Sequence, residues 1–202
     1  IDRTNSFIEN RKNWERIVEE KGWNKADNTQ NDTQGIIAKT GDKHNFHFNI
    51  WEVETGGAKT RFKWNVDAIK LLKHIESENR LATTEEQKVL AKYAGWGGIS
   101  QAFDDKNESW SKEYKELREL LTEEEYVAAR ATVNNAFYTA PEIAACITQG
   151  LVSFGFKGGN ILEPSCGIGN FFGNLPSTIG KSNLYGVELD DISGRIAKQL
   201  YQ

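Results

Sequence analysis

The sequence lacks the features that mark membrane-spanning chains and disulfide-bonded secreted scaffolds. Its 202 residues contain no methionine, three prolines and two cysteines, Cys146 and Cys166. No run approaches the roughly 18 apolar residues that a spanning helix needs, and no charged segment followed by an apolar one predicts a signal peptide. Two cysteines make neither a disulfide framework nor a metal site, so we expect a reducing cytoplasmic location, no bound metal and no membrane partner.

The charge balance is acidic, with a net charge of −4. This balance argues against coating nucleic acid through bulk charge, but it allows a local basic patch. Phosphate contact and an ordinary solvated face are both open for such a patch, and the acidic balance favours the second. Because the chain begins at Ile1 and has no methionine, we expect it to be a piece of a longer protein. The candidate patch consists of Lys59, Arg61, Lys63, Lys70 and Lys73.

The first third of the chain changes pattern twice. Residues 1–35 predict an amphipathic helix followed by a polar linker. Residues 36–66 predict a β-hairpin, because apolar residues alternate from Phe46 to Ile50 and a Gly-Gly turn precedes a second alternating run from Lys59 to Trp64. Residues 67–132 predict a helical region that packs beside the C-terminal part of the chain.

Two helix starts in that region are predicted from capping residues. Thr83 and Thr122 are each followed three residues later by glutamate, which predicts a capping box. The helix after Thr83 should end at the glycine-rich residues 95–98, and residues 112–121 predict another amphipathic helix. Trp96, flanked by glycines, is either a stacking surface for a base or cofactor or, more commonly, a core residue.

Residues 133–202 alternate between helix and strand. A helix is predicted to start near Thr139 within a capping box, and strands are predicted at 160–162 and 184–187. Asp191 can cap a last helix. This β-loop-α-β-α order opens a doubly wound α/β sheet.

The loop after the first of these strands predicts a cofactor site. Gly167 and Gly169 allow a sharp turn and close approach to a ligand, and Glu188 follows at nearly the ~20-residue spacing of a ribose-binding carboxylate. Glu163 at the start of the loop would repel a pyrophosphate, whereas S-adenosylmethionine brings an ammonium and a sulfonium and no phosphate. The alternative is a glycine turn that holds no ligand.

These residues also carry a family resemblance. Residues 163–171 resemble the cofactor motif of class I methyltransferases, in the form usual for adenine-N6 DNA methyltransferases. Residues 185–190 resemble their second motif, and residues 136–142 resemble the F/Y-T-P-P segment, with Ala140 in place of the first proline. The resemblance implies a cofactor site made of Phe137, Tyr138, Thr139, Glu163, Pro164, Ser165, Gly167, Gly169, Asn170, Phe171, Glu188 and Leu189.

Shorter segments extend the resemblance upstream. Residues 65–69, 82–87, 93–98 and 121–126 resemble the large methylase–helicase proteins of bacterial conjugative elements and phages. The fold so implied is α/β: a truncated Rossmann-like class I methyltransferase sheet over residues 133–202, preceded by the helical region and the β-hairpin. The implied partners are DNA and the C-terminal remainder of the polypeptide, including a helicase.

The sequence lacks the family's catalytic motif, Asn/Asp-Pro-Pro-Tyr/Phe, since none of its three prolines are adjacent. That motif lies beyond the second strand in the family, so we expect no catalytic residue here, no methyl transfer by this chain and weak cofactor binding. An exposed sheet edge would offer contact to a second copy. Two alternatives stay open: a non-catalytic DNA-binding or antirestriction module with a degenerate fold, and a methyltransferase acting on RNA or protein.

Overall fold

The structure is a computed structural model that describes residues 43–49, 56–179 and 181–202. The predicted helix and linker of residues 1–35 lie outside the described residues, as do residues 36–42 and 50–55 of the predicted hairpin. The elements of the described part are α1 (Ala58–Ser77), α2 (Thr84–Leu90), α3 (Ser111–Leu120), α4 (Glu123–Ala131), α5 (Pro141–Ser153), β1 (Asn160–Glu163), α6 (Asn170–Gly173), β2 (Asn183–Gly186) and α7 (Asp191–Leu200), with short 3-10 turns at Ser100–Phe103 and Glu108–Trp110.

The predicted hairpin is wrong, because its second strand is the first part of a helix. Helix α1 begins at Ala58 and includes all of Lys59 to Trp64. The buried side chains of this helix recur every three or four residues from Phe62 to Ile75, which is a helical period. The charged and aromatic residues of 59–64 alternate over too short a stretch to compete with this longer apolar face. The boundary predicted at residue 66 therefore falls inside a helix.

The segment predicted as the first hairpin strand shows the expected alternation of buried and exposed side chains, but it does not pair with a second hairpin strand. Phe46 and Phe48 are half-buried, and the residues between and around them are exposed. Their backbone N–H groups donate to the carbonyl oxygens of Leu200 (2.8 Å) and Gly173 (2.9 Å). The segment thus lies against the end of α7 and against α6.

Helix starts agree with the sequence-based predictions more closely than helix ends. Both capping boxes are confirmed: Thr83 and Thr122 accept from the N3 backbone, and the N3 glutamates bond back to the capping residues. Helix α2 ends at Leu90 rather than at residues 95–98. The helix predicted at 112–121 is α3, one residue earlier.

Two predicted caps in the C-terminal part need correction. Helix α5 begins at Pro141 after Ala140, which makes no side-chain cap, so the capping box predicted from Thr139 is absent. Proline is well suited to this first helical position. The last helix is capped by Asp190, whose carboxylate accepts from the Ser193 N–H, and not by Asp191.

The two predicted strands form a parallel pair. Strand β1 lies beside β2 with Glu163 opposite Gly186. The order β1, glycine loop, α6, β2, α7 is the predicted one, and it gives a mixed helical protein with a small parallel sheet, which is compatible with an α/β class.

One apolar core joins helices α1 to α4 to helix α7. Helix α1 lies at its centre, and Trp96 is only 1% exposed, which confirms the core interpretation of that residue. Ile196 and Leu200 of α7 belong to the same cluster. The glycine loop is fixed to the helical region, because its residue Ile168 belongs to this cluster too.

The sheet and α5 leave apolar side chains on the surface of the described part. Those of α5 and the strands that are at least 40% exposed are Ile143, Ile147, Leu151, Leu162 and Tyr185. Within the described ranges, each strand has one neighbour, so both outer edges of the pair are open. No helix in the described ranges combines the length and apolarity required to cross a membrane.

Candidate functional site

Two carboxylates meet at the carboxyl end of the parallel pair. Glu163 is the last residue of β1, and Glu188 follows β2. The pairing continues beyond the strands, since the Val187 N–H donates to the Glu163 carbonyl (2.9 Å) and the Cys166 N–H donates to the Val187 carbonyl (3.0 Å). Carboxyl ends of parallel strands are where open α/β sheets bind their ligands.

The loop between β1 and α6 needs its glycines. Gly167 and Gly169 have φ values of 55° and 84°, in the left-handed region. A Cβ on Gly167 would lie 3.1 Å from the ring of Tyr138, and one on Gly169 would lie 2.3 Å from the ring of Tyr201. The two glycines are therefore required by backbone conformation and by close packing, whether or not a ligand is bound.

The Glu188 carboxylate holds this loop in place. It accepts hydrogen bonds from the backbone N–H groups of Gly167 (2.6 Å), Leu189 (2.8 Å) and Asp190 (2.9 Å). A carboxylate has about four lone-pair positions, so acceptor capacity remains for a ligand hydroxyl. Glu188 also lines a cavity of about 640 Å³, together with Asp190 and Tyr185.

Glu163 is the electrostatically unsatisfied acid of the site. Its Oε2 is buried and has no hydrogen-bond partner in the described residues. Burial and the nearby charge of Glu188 raise the pKa of Glu163 to about 7. A buried carboxyl without a donor is stabilised when a cation or a donor group enters beside it.

The segment before α5 is bonded directly to the loop. The Tyr138 hydroxyl shares a hydrogen bond with Ser193 (2.5 Å), which in turn donates to Asp190. The Asn170 amide donates to the Thr139 carbonyl (2.8 Å), while its own Oδ1 is buried without a partner in the described residues. Burial is the main cause that raises the pKa of Tyr138 far above its usual value, so its hydroxyl stays protonated.

The structure thus brings together about half of the predicted site residues. Those in mutual contact or at the same sheet end are Tyr138, Thr139, Glu163, Gly167, Gly169, Asn170 and Glu188. Pro164 and Ser165 are exposed at the start of the loop, and Phe171 is half-buried in α6. Phe137 is 65% exposed and Leu189 is fully exposed, so both side chains are available to a ligand.

Sequence reasoning missed three residues that build this site. Asp190 and Ser193 fix Tyr138, and the Tyr201 hydroxyl donates to the Gly169 carbonyl (2.5 Å). Asp190 belongs to the segment that resembles the second motif, and that resemblance is the signal that could have identified it. Tyr201 follows α7 without any pattern, and its contact depends on how α7 packs.

The candidate basic patch is largely neutralised. Lys59, Lys70 and Lys73 form ion pairs with Glu113, Glu116 and Glu125, each at 2.6 Å. These contacts favour the solvated-face interpretation for the three lysines.

Among the described residues, no group of three or more His, Cys, Asp or Glu side chains could hold a metal ion. Cys166 is buried against Gly186, where a Cβ would lie 2.8 Å from its sulfur, so it is a packing residue.

Comparison of the chain with family models, curated proteins and solved structures found no match.

Proposed function

We propose that this chain carries the S-adenosylmethionine-binding part of a class I methyltransferase that transfers a methyl group to adenine N6 in DNA. The observation that carries the proposal is the placement of Glu163 and Glu188 at the carboxyl ends of adjacent parallel strands, beside a loop with two left-handed glycines. A truncated Rossmann-like sheet is the finer fold that goes with this proposal.

The charge of the site favours this cofactor over a dinucleotide. Two carboxylates, one of them buried and unpartnered in the described residues, oppose a pyrophosphate. The ammonium and sulfonium of S-adenosylmethionine would instead stabilise the ionised form of Glu163. In this proposal Glu188 bonds the ribose hydroxyls, Leu189 contacts the cofactor, and residues 137–139 hold the methionine end.

The substrate in the proposal comes from the resemblance of residues 163–171, 185–190 and 136–142 to adenine-N6 DNA methyltransferases. The Asn/Asp-Pro-Pro-Tyr/Phe motif is not among these 202 residues. We therefore expect the chain to bind the cofactor weakly and to transfer no methyl group without residues that it does not contain. DNA, a helicase partner and a cytoplasmic location stay predictions.

Calorimetric titration of the purified chain with S-adenosylmethionine and with NAD⁺ tests the cofactor. We expect binding of the first and none of the second. Glu188→Gln should weaken binding about tenfold or more, since each charge-assisted hydrogen bond contributes ~1.5–3 kcal/mol. Glu116→Gln, an exposed carboxylate of α3 that pairs with Lys70, is the matched control and should leave the affinity unchanged.

Two results would contradict the proposal: no heat with S-adenosylmethionine at millimolar concentration, or equal affinity for NAD⁺. Absence of cofactor binding combined with tight DNA binding would favour the alternative, a non-catalytic DNA-binding or antirestriction module. Cofactor binding combined with preference for RNA or a protein would retain the cofactor and change the substrate.

A further inference from the structure

A separate cleft adjoins the glycine loop. Its volume is about 730 Å³, within the range of small-molecule sites. Tyr138 and Asn170 line it on the loop side, and α1, α2 and the residues after α2 line it on the other. The ionisable side chains of basic type at its wall are Arg61, Lys88, Lys92 and His47, and no carboxylate lines it in the described residues. Lys88 is paired with Glu85, and the charge of this wall that bears on a ligand is that of Arg61.

Arg61 gives the cleft a charge that no acidic side chain of the described residues compensates. The guanidinium is half-buried, and one of its nitrogens, Nη1, donates to the Gly97 carbonyl at 3.3 Å. Its Nε is buried without a partner in the described residues. The neighbouring lysines of α1, Lys59, Lys70 and Lys73, pair with glutamates, whereas the hydrogen bond of Arg61 is to a neutral carbonyl. A partly desolvated charge in this state is stabilised by an anion.

An aromatic ring stands beside this charge. Phe137 lines the same cleft with 65% of its surface exposed. Its position is fixed by the preceding residue, since the Gly97 N–H donates to the Ala136 carbonyl at 3.1 Å. A Cβ on Gly97 would lie 2.2 Å from that carbonyl oxygen, so only glycine permits the contact. The cation and the ring are close together, since a Cβ on Gly98 would lie 3.6 Å from the Phe137 ring and 3.7 Å from Arg61 Nη2.

We infer that this cleft binds a nucleotide unit of a single-stranded nucleic acid, with its phosphate on Arg61 and its base stacked on Phe137. Guanidinium groups suit phosphate geometry, and exposed aromatic rings stack bases of any sequence. The inference rests on the proposed function for its biological context, because residues 137–139 would then separate the bound strand from the cofactor. The cleft would bind an anion, whereas the site at Glu163 and Glu188 would bind a cation. Neither carboxylate lines the cleft.

Fluorescence anisotropy with a short labelled single-stranded DNA tests the inference on the whole chain. We expect Arg61→Gln and Phe137→Ala each to weaken binding about tenfold, the effect of losing ~1.4 kcal/mol. Lys63→Gln is the matched control, because Lys63 is an exposed cation two residues along α1 that does not line the cleft. It should change the affinity by less than about twofold.

Competition identifies the ligand chemistry. A nucleoside monophosphate should displace the labelled strand, whereas the nucleoside without phosphate and inorganic phosphate should each compete poorly. Binding of the nucleotide without any affinity for the strand would assign the cleft to a free nucleotide and overturn the inference. Equal displacement by polyglutamate would also overturn it, since the cleft would then be a general anion site.

The two variants distinguish a loss of strand binding from a loss of fold stability. Phe137 is exposed, so its truncation should leave the melting temperature unchanged even if Arg61→Gln lowers it through Gly97. Wild-type strand affinity in both variants, or an equal loss in Lys63→Gln, would overturn the inference. Strand binding that depends on Arg61 without S-adenosylmethionine binding would contradict the cofactor proposal alone, and the reverse result would contradict the cleft alone.

Discussion

At the scale of single residues, the site holds two acids of opposite character. Glu188 is satisfied by three backbone N–H groups and serves as a structural brace of the loop. Glu163, one strand away, has a buried oxygen without a donor in the described residues. The same residue type therefore acts once as a fixed acceptor and once as a site that gains from a cationic or donor ligand.

Glu163→Gln should stabilise the chain in a pH-dependent way. The pKa of Glu163 is about 7 in the folded chain against an ordinary 4.5, so the unfolded chain loses this proton first. Stability therefore falls as pH rises from about 4.5 to about 7, and the glutamine variant removes that loss. Thermal melts should show a gain over wild type at pH 8 that is a few °C larger than at pH 5.

Glu116→Gln again provides the comparison, because that carboxylate is exposed and ion-paired on α3. Its melting temperature relative to wild type should change little between the two pH values. A Glu163→Gln variant with the same offset at pH 5 and pH 8 would contradict the raised pKa.

At the scale of elements, neighbouring residues predict the capped helix starts correctly, but they predict a strand at residues 59–64 where the structure has a helix. The caps at Thr83 and Thr122 depend on residues three positions apart, so the sequence contains all that they need. The two strands lie within one residue of their predicted positions for the same reason, since glycines and turns bound them. The prediction for residues 59–64 fails because six residues show strand-like alternation while the face that they share with Ile69 and Ile75 is helical.

Two glycines of neighbouring elements should respond in opposite directions to alanine. Gly169→Ala should lower the free energy of unfolding by about 2 kcal/mol or more, because a left-handed residue costs ~1–2 kcal/mol and the new Cβ would meet Tyr201 at 2.3 Å. Gly150→Ala in α5 has open space around it, and should gain about 0.5–1 kcal/mol. Urea unfolding measures both, and equal effects would argue against the loop conformation.

At the scale of the whole molecule, ion pairs connect α7 to the helical region. Arg195 contacts Glu76 (2.5 Å), Glu125 (2.9 Å) and Asp191 (3.0 Å). Glu125 pairs with Lys73 through its other oxygen and has a side chain only 12% exposed. Hydrogen bonds from Lys73, Thr122 and Arg195 outweigh its desolvation and keep the pKa of Glu125 below its usual value. Helix α7 is thus held to α1 and α4 by charge as well as by the apolar core.

Arg195→Ala should therefore destabilise the whole described body. We expect a loss of about 2 kcal/mol, because removal of one member leaves a largely buried carboxylate with fewer partners. Chemical denaturation measures the loss. Lys70→Ala, which breaks an exposed pair with Glu116 of α3, should cost less than about 0.5 kcal/mol. Similar losses in the two variants would show that the Arg195 network contributes no more than an ordinary surface pair.

The sequence by itself determines the features that depend on residues close together in the chain. These are the capped helix starts, the glycine loop after a strand, and the acid at the end of the next strand. Long-range packing accounts for the rest. Residues 59–64 are helical because a longer apolar face outweighs a local pattern. Three of the five basic residues pair with glutamates from other helices, and Arg61 contacts a carbonyl at the wall of a cleft. Such pairings depend on distances between elements, which residue order leaves open and the packed core fixes.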